Sequence, residues 1–314
     1  MHGDGVPFLI EYEDTIAHFC YVVMRSDIAE SDKFKGVLEP KKYYDYETPY
    51  GYGGPLCDAV IPTDSQSSFL REMTEYAKTE GIISQFVRFH PLLANHESAS
   101  NVFETRYMHD VIYIDTASPE LIMKNMDSKN RNMVRKAIKN GVTIERKPID
   151  QYKEFLSMYE ETMLKDNADA YYTFHEDYFK AQQALSEHAC FFYAMKDGQP
   201  IAGAIMYYND KFIHYHLAGT HTEYRKFSPS NLLLYEVACW ASKRGIQRFH
   251  LGGGMTQDDN LLGFKKQLNK NGRLPFVIGR TVFNQEIYQY LLQVRKKCDS
   301  DFNAENGRMI QYRA

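Results

Sequence analysis

The sequence predicts an α+β fold of two similar lobes, each a mixed, mostly antiparallel sheet flanked by helices. Three observations predict it. Residues 190–218 read as three short strands joined by the tight turns Asp197-Gly198 and Asn209-Asp210, which makes an antiparallel meander. A helix and one further strand follow that meander. The helix-to-strand junction then occurs twice: Tyr76-Ala77-Lys78-Thr79-Glu80-Gly81-Ile82 matches Trp240-Ala241-Ser242-Lys243-Arg244-Gly245-Ile246, and each following strand ends in Arg-Phe-His, at Arg88–His90 and Arg248–His250. The same element order around both junctions predicts a duplicated lobe of about 130–150 residues. The expected boundaries are 1–141 for the first lobe, completed by the C-terminal helix within 283–314, and 142–282 for the second.

Each element has a local reason. Val6–Tyr12 and Ala17–Met24 are apolar-rich runs separated by Glu13-Asp14, a hairpin. Thr48-Pro49-Tyr50-Gly51-Tyr52-Gly53-Gly54-Pro55 packs three glycines and two prolines into one stretch, so it is a loop. Asp64 or Ser65 caps a helix that runs to Glu80 and stops at Gly81. Ile82–His90 is a strand, and Val102–Asp115 is one or two more. Ser118-Pro119-Glu120 opens a helical stretch, and a second, heavily basic helix begins near Ser128 and stops at Gly141. Asp150 caps a helix to Leu164. The meander strands are Cys190–Met195, Pro200–Tyr208 and Lys211–Ala218. Ser228-Pro229 starts a helix over Leu232–Arg244, ended by Gly245. Gln247–Leu251 is a strand leading into Gly252-Gly253-Gly254. Asp259 caps a short helix to Leu268, Pro275–Val282 is a strand, and Asn284–Lys297 is the last helix.

Bulk properties narrow the function classes. The 314 residues carry a net charge of −4, with hydrophobic residues at 44% and charged residues at 25%, as in folded water-soluble domains. That balance argues against a generic nucleic-acid binder but allows a local basic patch. The 24 tyrosines and 19 phenylalanines suit a groove that is apolar yet able to hydrogen-bond, or simply half-buried strand positions. Five scattered cysteines, with no metal-ligand spacing, read as reduced thiols in a cytoplasmic protein, and no metal is expected. The opening Met1-His2-Gly3-Asp4-Gly5 has no signal-peptide character, and no apolar run is long enough to span a membrane.

The order meander, turn, helix, strand is that of the GNAT acetyltransferase fold, in which the helix N-terminus faces a phosphate. The usual Arg-x-x-Gly-x-Gly/Ala signature for coenzyme A is absent; Tyr224-Arg225-Lys226-Phe227-Ser228-Pro229-Ser230-Asn231 stands there instead. Tyr224–Gly254 followed by Leu262-Gly263-Phe264-Lys265-Lys266-Gln267-Leu268 resembles the second lobe of FemAB-type transferases. Asn130-Arg131-Asn132-Met133-Val134-Arg135-Lys136-Ala137 resembles that family's Asn-Arg helix. Residues 48–55 and 86–92 resemble first-lobe motifs of its polysaccharide-cluster acetyltransferase branch. The resemblance spans about residues 5–314. It implies a tandem GNAT fold and transfer of an aminoacyl group from aminoacyl-tRNA, or an acyl group from acetyl-coenzyme A, to an amine of a cell-wall peptide or amino-sugar precursor. The donor is a co-substrate, tRNA a possible partner, and no tightly bound cofactor is implied. The chemistry is direct attack of the amine on an activated carbonyl, with alignment of two substrates, a proton acceptor and an oxyanion stabiliser.

The residues that would carry this are few. Lys265, by resemblance to the Phe-Lys motif, would stabilise charge at the reacting carbonyl, with Lys266 as its rival in register. Arg88 and His90 sit at a strand end beside Pro91, where Arg88 would hold a phosphate and His90 would take the amine proton. Tyr50, Tyr52, Gly53 and Gly54 would line an acceptor groove, with the glycines letting a ligand approach the backbone. Asn130, Arg131, Arg135 and Lys136 would meet a diphosphate or tRNA phosphates, and the i, i+4 spacing puts Arg131 and Arg135 on one face. Tyr224, Arg225, Ser228, Ser230 and Asn231 would face the donor. On the central strand His214 and His216 share one face, and Tyr215 takes the other as a substrate contact. Each has a plain structural alternative: a surface lysine, a solvated basic face, a satisfied core histidine, an ordinary loop. A non-catalytic binding or scaffold protein in an envelope polysaccharide pathway, or a ligand sensor, stays open beside the enzyme reading.

Overall fold

The computed structural model describes residues 5–165, 174–254 and 259–314. The chain forms two compact units. One is a single segment, His109–Leu274; the other joins two segments, the residues up to Met108 and Pro275–Ala314. Met1–Asp4 lie outside the described residues.

The two-segment unit opens with the hairpin β1 (Val6–Glu13) and β2 (His18–Asp27), followed by β3 (Tyr44–Glu47) antiparallel to β2. A short strand, β4 (Leu56–Cys57), also pairs with β2. Helix α1 (Thr63–Thr79) leads into β5 (Ile82–Arg88), which lies parallel to β3. The N-cap of α1 is Pro62, with no side-chain cap, so neither Asp64 nor Ser65 caps it; Gln66 donates instead to the Ile61 carbonyl at 2.8 Å. β12 (Arg273–Val282) runs antiparallel to β5. The unit has two apolar clusters: Phe19, Tyr21, Phe69 and Phe89 around α1, and Phe34, Ile83, Tyr288 and Tyr312 around the last helix, α8 (Gln285–Cys298), which Asn284 caps.

The one-segment unit repeats that order. It carries β6, a single strand (Glu104–Asp115) whose second half lies in this unit, then α2 (Pro119–Asn125) capped by Ser118 and α3 (Ser128–Lys139) capped by Asp127. β7 (Thr143–Pro148) follows, an edge strand not expected from the sequence, and α4 begins at Lys153 (Lys153–Lys165), beyond Asp150. After a second unexpected element, α5 (Glu176–Ala181), come the meander strands β8 (Ala189–Lys196), β9 (Gln199–Tyr208) and β10 (Phe212–Thr220), all antiparallel. Helix α6 (Pro229–Lys243) leads to β11 (Arg248–Gly252), parallel to β10, and α7 (Asn260–Leu268) follows. Alternation on β8 shows the layering: Phe191 meets Phe155 of α4 at 5.2 Å, while its neighbour Phe192 meets Trp240 of α6 at 5.5 Å.

Both units therefore share one plan, with a strand that enters parallel to the last meander strand after a helix. The strand completing each is exchanged along the chain. β6 follows β5 in sequence but pairs antiparallel with β11, whereas β12 follows α7 and pairs with β5. This moves the chain divisions to 108/109 and 274/275, away from the expected 141 and 282. Helices α2 and α3 go with the one-segment unit because Ile122, Val134 and Ala137 belong to the same core as Leu233 and Val237 of α6.

Candidate functional site

In the one-segment unit, β10 and β11 pair only from Phe212↔Arg248 to His214↔His250, although β10 runs on to Thr220 and β11 to Gly252. A register shift between Tyr215 and Leu217 bulges β10 just past that point. His216 packs on Tyr207, the register partner of His214, so the two histidines share a face as the alternation predicts. Tyr215 lies where its ring centroid is 5.9 Å from the Lys265 ammonium.

Lys265 is 6% exposed, whereas its neighbour Lys266 is half-buried. Helix α7 delivers it: Asp259 caps the helix by accepting from Leu262 N at 2.7 Å, and Leu262 and Leu268 anchor its inner face. The ammonium donates to the Gly253 carbonyl at 2.6 Å. Burial lowers its pKa to about 8, and the Asp259 carboxylate works against that shift. A side chain at either glycine after β11 would have to displace a neighbouring side chain. A Cβ on Gly253 would lie 2.5 Å from the His109 ring, and one on Gly254 would lie 2.1 Å from Asp259 Oδ1. The result is a buried cation held by a strand-end carbonyl, beside a tyrosine whose burial keeps it protonated.

The other face of β10 carries a second polar group. His216 Nε2 lies 2.5 Å from Tyr178 Oη, and His214 and His250 rings are 5.0 Å apart. At the end of β10, Glu161 of α4 holds His221 Nδ1 at 2.7 Å and accepts from Thr222 N at 2.7 Å. These two bonds lower the Glu161 pKa to about 2. Glu161 and His221 escaped the sequence reading, because 60 residues and a meander separate them.

Three of the expected donor residues, Ser228, Ser230 and Asn231, are engaged internally. Ser228 adopts φ 58° at the N-cap of α6, and its hydroxyl contacts Met133 Sδ at 3.3 Å. Ser230 Oγ lies 3.1 Å from Thr220 Oγ1, and Asn231 donates to Asn130 Oδ1 at 2.5 Å. Asn130 is fully buried, so the first turn of α6 is tied to α3. Tyr224 packs near Phe227, and Arg225 is exposed. The basic helix splits accordingly. Asn130 faces inward, Lys136 is exposed, and Arg131 and Arg135 line one shallow groove with Lys124 and Lys270, as their spacing predicts. Arg131 also caps α2 through the Met126 carbonyl.

In the two-segment unit, Arg88 lines a cleft of about 640 Å³, with its guanidinium 4.9 Å from the Phe86 ring. His90 instead sits edge-on to Tyr52 at 5.9 Å, and Tyr52 edge-on to Phe276 at 5.5 Å. Burial lowers the His90 pKa to about 4, so at neutral pH it is an uncharged and weak proton acceptor. Tyr50 is half-buried in the same loop. The loop glycines have a packing reason: a Cβ on Gly54 would lie 2.9 Å from the Phe89 ring, and one on Gly53 2.9 Å from Thr48. Asn95 ties this loop down by donating to the carbonyls of Gly53 and Pro55.

The acetyltransferase (GNAT) domain family matches residues 128–266, the stretch that contains α3, the meander, α6 and Lys265. No curated protein matches the chain. Among solved structures, FemX is similar at a TM-score of 0.69 with 14% identity, covering 90% of each chain. The C-terminal domain of a putative lysylphosphatidylglycerol synthetase from Agrobacterium fabrum is similar at 0.58 with 14% identity, over 94% of this chain and 87% of that one. A tandem GNAT protein from the clavulanic acid biosynthesis pathway reaches 0.50 at 8% identity, over 90% and 85%. At these identities the likeness is one of fold. Residues 128–266 match the acetyltransferase (GNAT) domain family, and the whole chain shares the tandem fold of FemX and of the tandem GNAT protein.

Proposed function

We propose that this protein transfers an aminoacyl or acyl group to an amine of a cell-wall peptide or amino-sugar precursor, with Lys265 stabilising the charge that develops on the reacting carbonyl. The observation that carries the reading is the buried Lys265 ammonium on the Gly253 carbonyl, with its pKa lowered to about 8. A buried cation is costly, and a position that keeps one at a strand end is a candidate for work at a developing negative charge. The amine nitrogen attacks the carbonyl carbon, and a C–N bond forms as the C–O bond of an ester donor or the C–S bond of a thioester breaks. The oxyanion in between is met by Lys265, and the amine proton leaves to a base. Tyr215 orients the acceptor beside Lys265.

Aminoacyl-tRNA is the favoured donor. Asn130 and Met133 of α3 occupy the polar side chains at the start of α6, where the coenzyme A signature is also missing from the sequence. Arg131, Arg135 and Lys136 then serve as phosphate contacts, Tyr224 and Arg225 as the donor-facing edge, and Arg88 and His90 as acceptor-side groups. Charged tRNA places the activity in the cytoplasm. The test is heat protection of the pure protein by aminoacyl-tRNA and, separately, by acetyl-coenzyme A, followed by acyl transfer to a soluble amine acceptor. Protection by one donor and turnover abolished by Lys265→Met are expected. Donor protection with no turnover on any amine would favour the non-catalytic binding protein.

A further inference from the structure

The proposed transfer needs a group that takes the amine proton, and the surroundings of Lys265 hold one. His109, on β6, is half-buried, and its ring lies against Gly253, the residue whose carbonyl holds the Lys265 ammonium. A Cβ on Gly253 would come 2.5 Å from His109 Cε1, 2.8 Å from its Nδ1 and 3.1 Å from the Asp110 carbonyl oxygen, so the α-carbon of Gly253 nests against this edge of the ring. The β6–β11 ladder last pairs Ile112 with Gly252, after a register shift in β11, and His109 lies beyond Ile112 beside the departing chain. The ring's orientation fixes its chemistry. Nδ1 faces the Asp110 carbonyl oxygen at 3.0 Å. A carbonyl oxygen only accepts, so the proton of the neutral imidazole sits on Nδ1 and the lone pair on Nε2. The distances suit one reacting centre. Through Gly253, the His109 ring and the Lys265 ammonium are at most about 9 Å apart. A tetrahedral centre with its oxygen on an ammonium and its nitrogen on an imidazole spans roughly 6–8 Å. Tyr215 is held protonated by burial, and the Asp259 carboxylate accepts from Leu262 N at the start of α7, so neither serves as the base.

We propose that His109 Nε2 accepts the proton of the attacking amine, as the base opposite Lys265. The amine lone pair forms the C–N bond while the carbonyl electrons move to the oxygen beside Lys265. The nitrogen, now positively charged, gives one proton to Nε2. The oxyanion then re-forms the carbonyl and expels the ester oxygen or the thioester sulfur, which receives that proton from the imidazolium. The products are the acylated amine and a free hydroxyl or thiol, and His109 ends neutral. The Nδ1 bond to the Asp110 carbonyl holds the ring in place through both proton transfers and favours the imidazolium between them. The charged groups around the ring are Asp110 on its own strand, Arg273 of β12, which pairs with Asp110 at 3.7 Å, and Lys265 and the capping Asp259 of α7. The inference deepens the proposed function and rests on it for the reacting carbonyl.

Two measurements on the whole protein test it. Nitrogen-15 NMR of the histidine side chains, with His109 assigned through His109→Asn or His109→Gln, reads the tautomer. A neutral ring protonated at Nδ1 is expected, and one protonated at Nε2 overturns the proposal without any substrate present. Transfer is then followed from alanyl-tRNA or acetyl-coenzyme A to glucosamine or a lysine-containing peptide. His109→Asn keeps a donor for the Asp110 carbonyl but has no base, so kcat is expected to fall roughly 100-fold or more while KM changes less than about threefold. Added imidazole should restore part of the lost kcat in His109→Ala and none in Lys265→Met, a pattern that a purely structural histidine does not give. Unchanged kcat in His109→Asn overturns the base, and so does a loss in His109→Ala that imidazole leaves untouched. Transfer that depends on Lys265 but not on His109 sinks this inference alone. Absence of transfer by the wild type from either donor sinks the acyl-transfer reading and the base with it.

Discussion

The Lys265 ammonium and the Gly253 carbonyl meet at 2.6 Å, although one belongs to helix α7 and the other to the chain leaving β11. The bond satisfies one of three ammonium donors. It also fixes the cation just past the point where the β10–β11 ladder ends. Burial lowers the lysine's pKa, and the Asp259 carboxylate, which opens α7, offsets part of that shift.

This sets the pH dependence of transfer. The ammonium form is the active one, so turnover falls as pH rises through about 8, the lowered pKa of Lys265. The acceptor amine must be neutral, so turnover climbs from the acid side, and the profile is bell-shaped with its alkaline limb set by Lys265. Lys265→Met is expected to cut kcat by roughly 100-fold or more, the scale of losing an oxyanion stabiliser. Lys265→Arg, where it is accommodated, moves the alkaline limb upward. An alkaline limb unchanged in Lys265→Arg counts against the assignment.

The same lysine carries a stability signature opposite to that of a structural residue. Its folded pKa lies below the unfolded 10.5, so the unfolded chain holds the extra proton between about 8 and 10.5, and stability rises with pH across that window. At pH 7 the buried charge is a net cost. Lys265→Met removes it and forfeits one hydrogen bond, leaving an expected gain of roughly 1–2 kcal/mol. Urea unfolding at pH 7 measures this, and a loss of stability would mark Lys265 as structural.

Much of this arrangement was legible before the fold was known. Ser118 opens α2 and Asp259 caps α7 as expected, because a short polar side chain before an apolar run readily accepts from the first turn, whereas α1 and α4 start without the caps expected at Asp64 or Ser65 and at Asp150. The turns at Asp197-Gly198 and Asn209-Asp210 fixed the meander. β7 was not legible, since Glu145-Arg146-Lys147 on an edge strand lacks apolar alternation. The unit boundaries were not legible either, because the exchange of β6 and β12 leaves no mark in local pattern. In the site, Lys265 could be named but not told from Lys266, which needs the helix phase. Asp259 as a charge partner and the Glu161–His221 pair depend on tertiary proximity alone.

His90 predicts an acid limb of stability in the two-segment unit. Burial against Tyr52 lowers its folded pKa to about 4, below the unfolded 6.5. It is neutral in both states at pH 7. As pH falls through 6.5 the unfolded chain gains the proton first, so stability is lost between about 6.5 and 4. The expected loss is about 1–3 kcal/mol by pH 4, and His90→Gln flattens it. Melting temperature measured across this range, wild type against variant, is the check; parallel curves would show that other groups carry the acid sensitivity.

Asp45 of β3 grips Arg313 through two oxygens and also accepts from Tyr312, so the last described segment is clamped to the sheet by one buried carboxylate. Removing either charge strands the other in a poorly solvated place. Asp45→Asn and Arg313→Met are each expected to destabilise by about 2–4 kcal/mol, more than an exposed ion pair yields. The double variant Asp45→Asn with Arg313→Met should cost less than the two single losses combined, because no unpaired charge remains. A double-mutant cycle by chemical denaturation reads this coupling. Strict additivity would mean that Asp45 and Arg313 act independently.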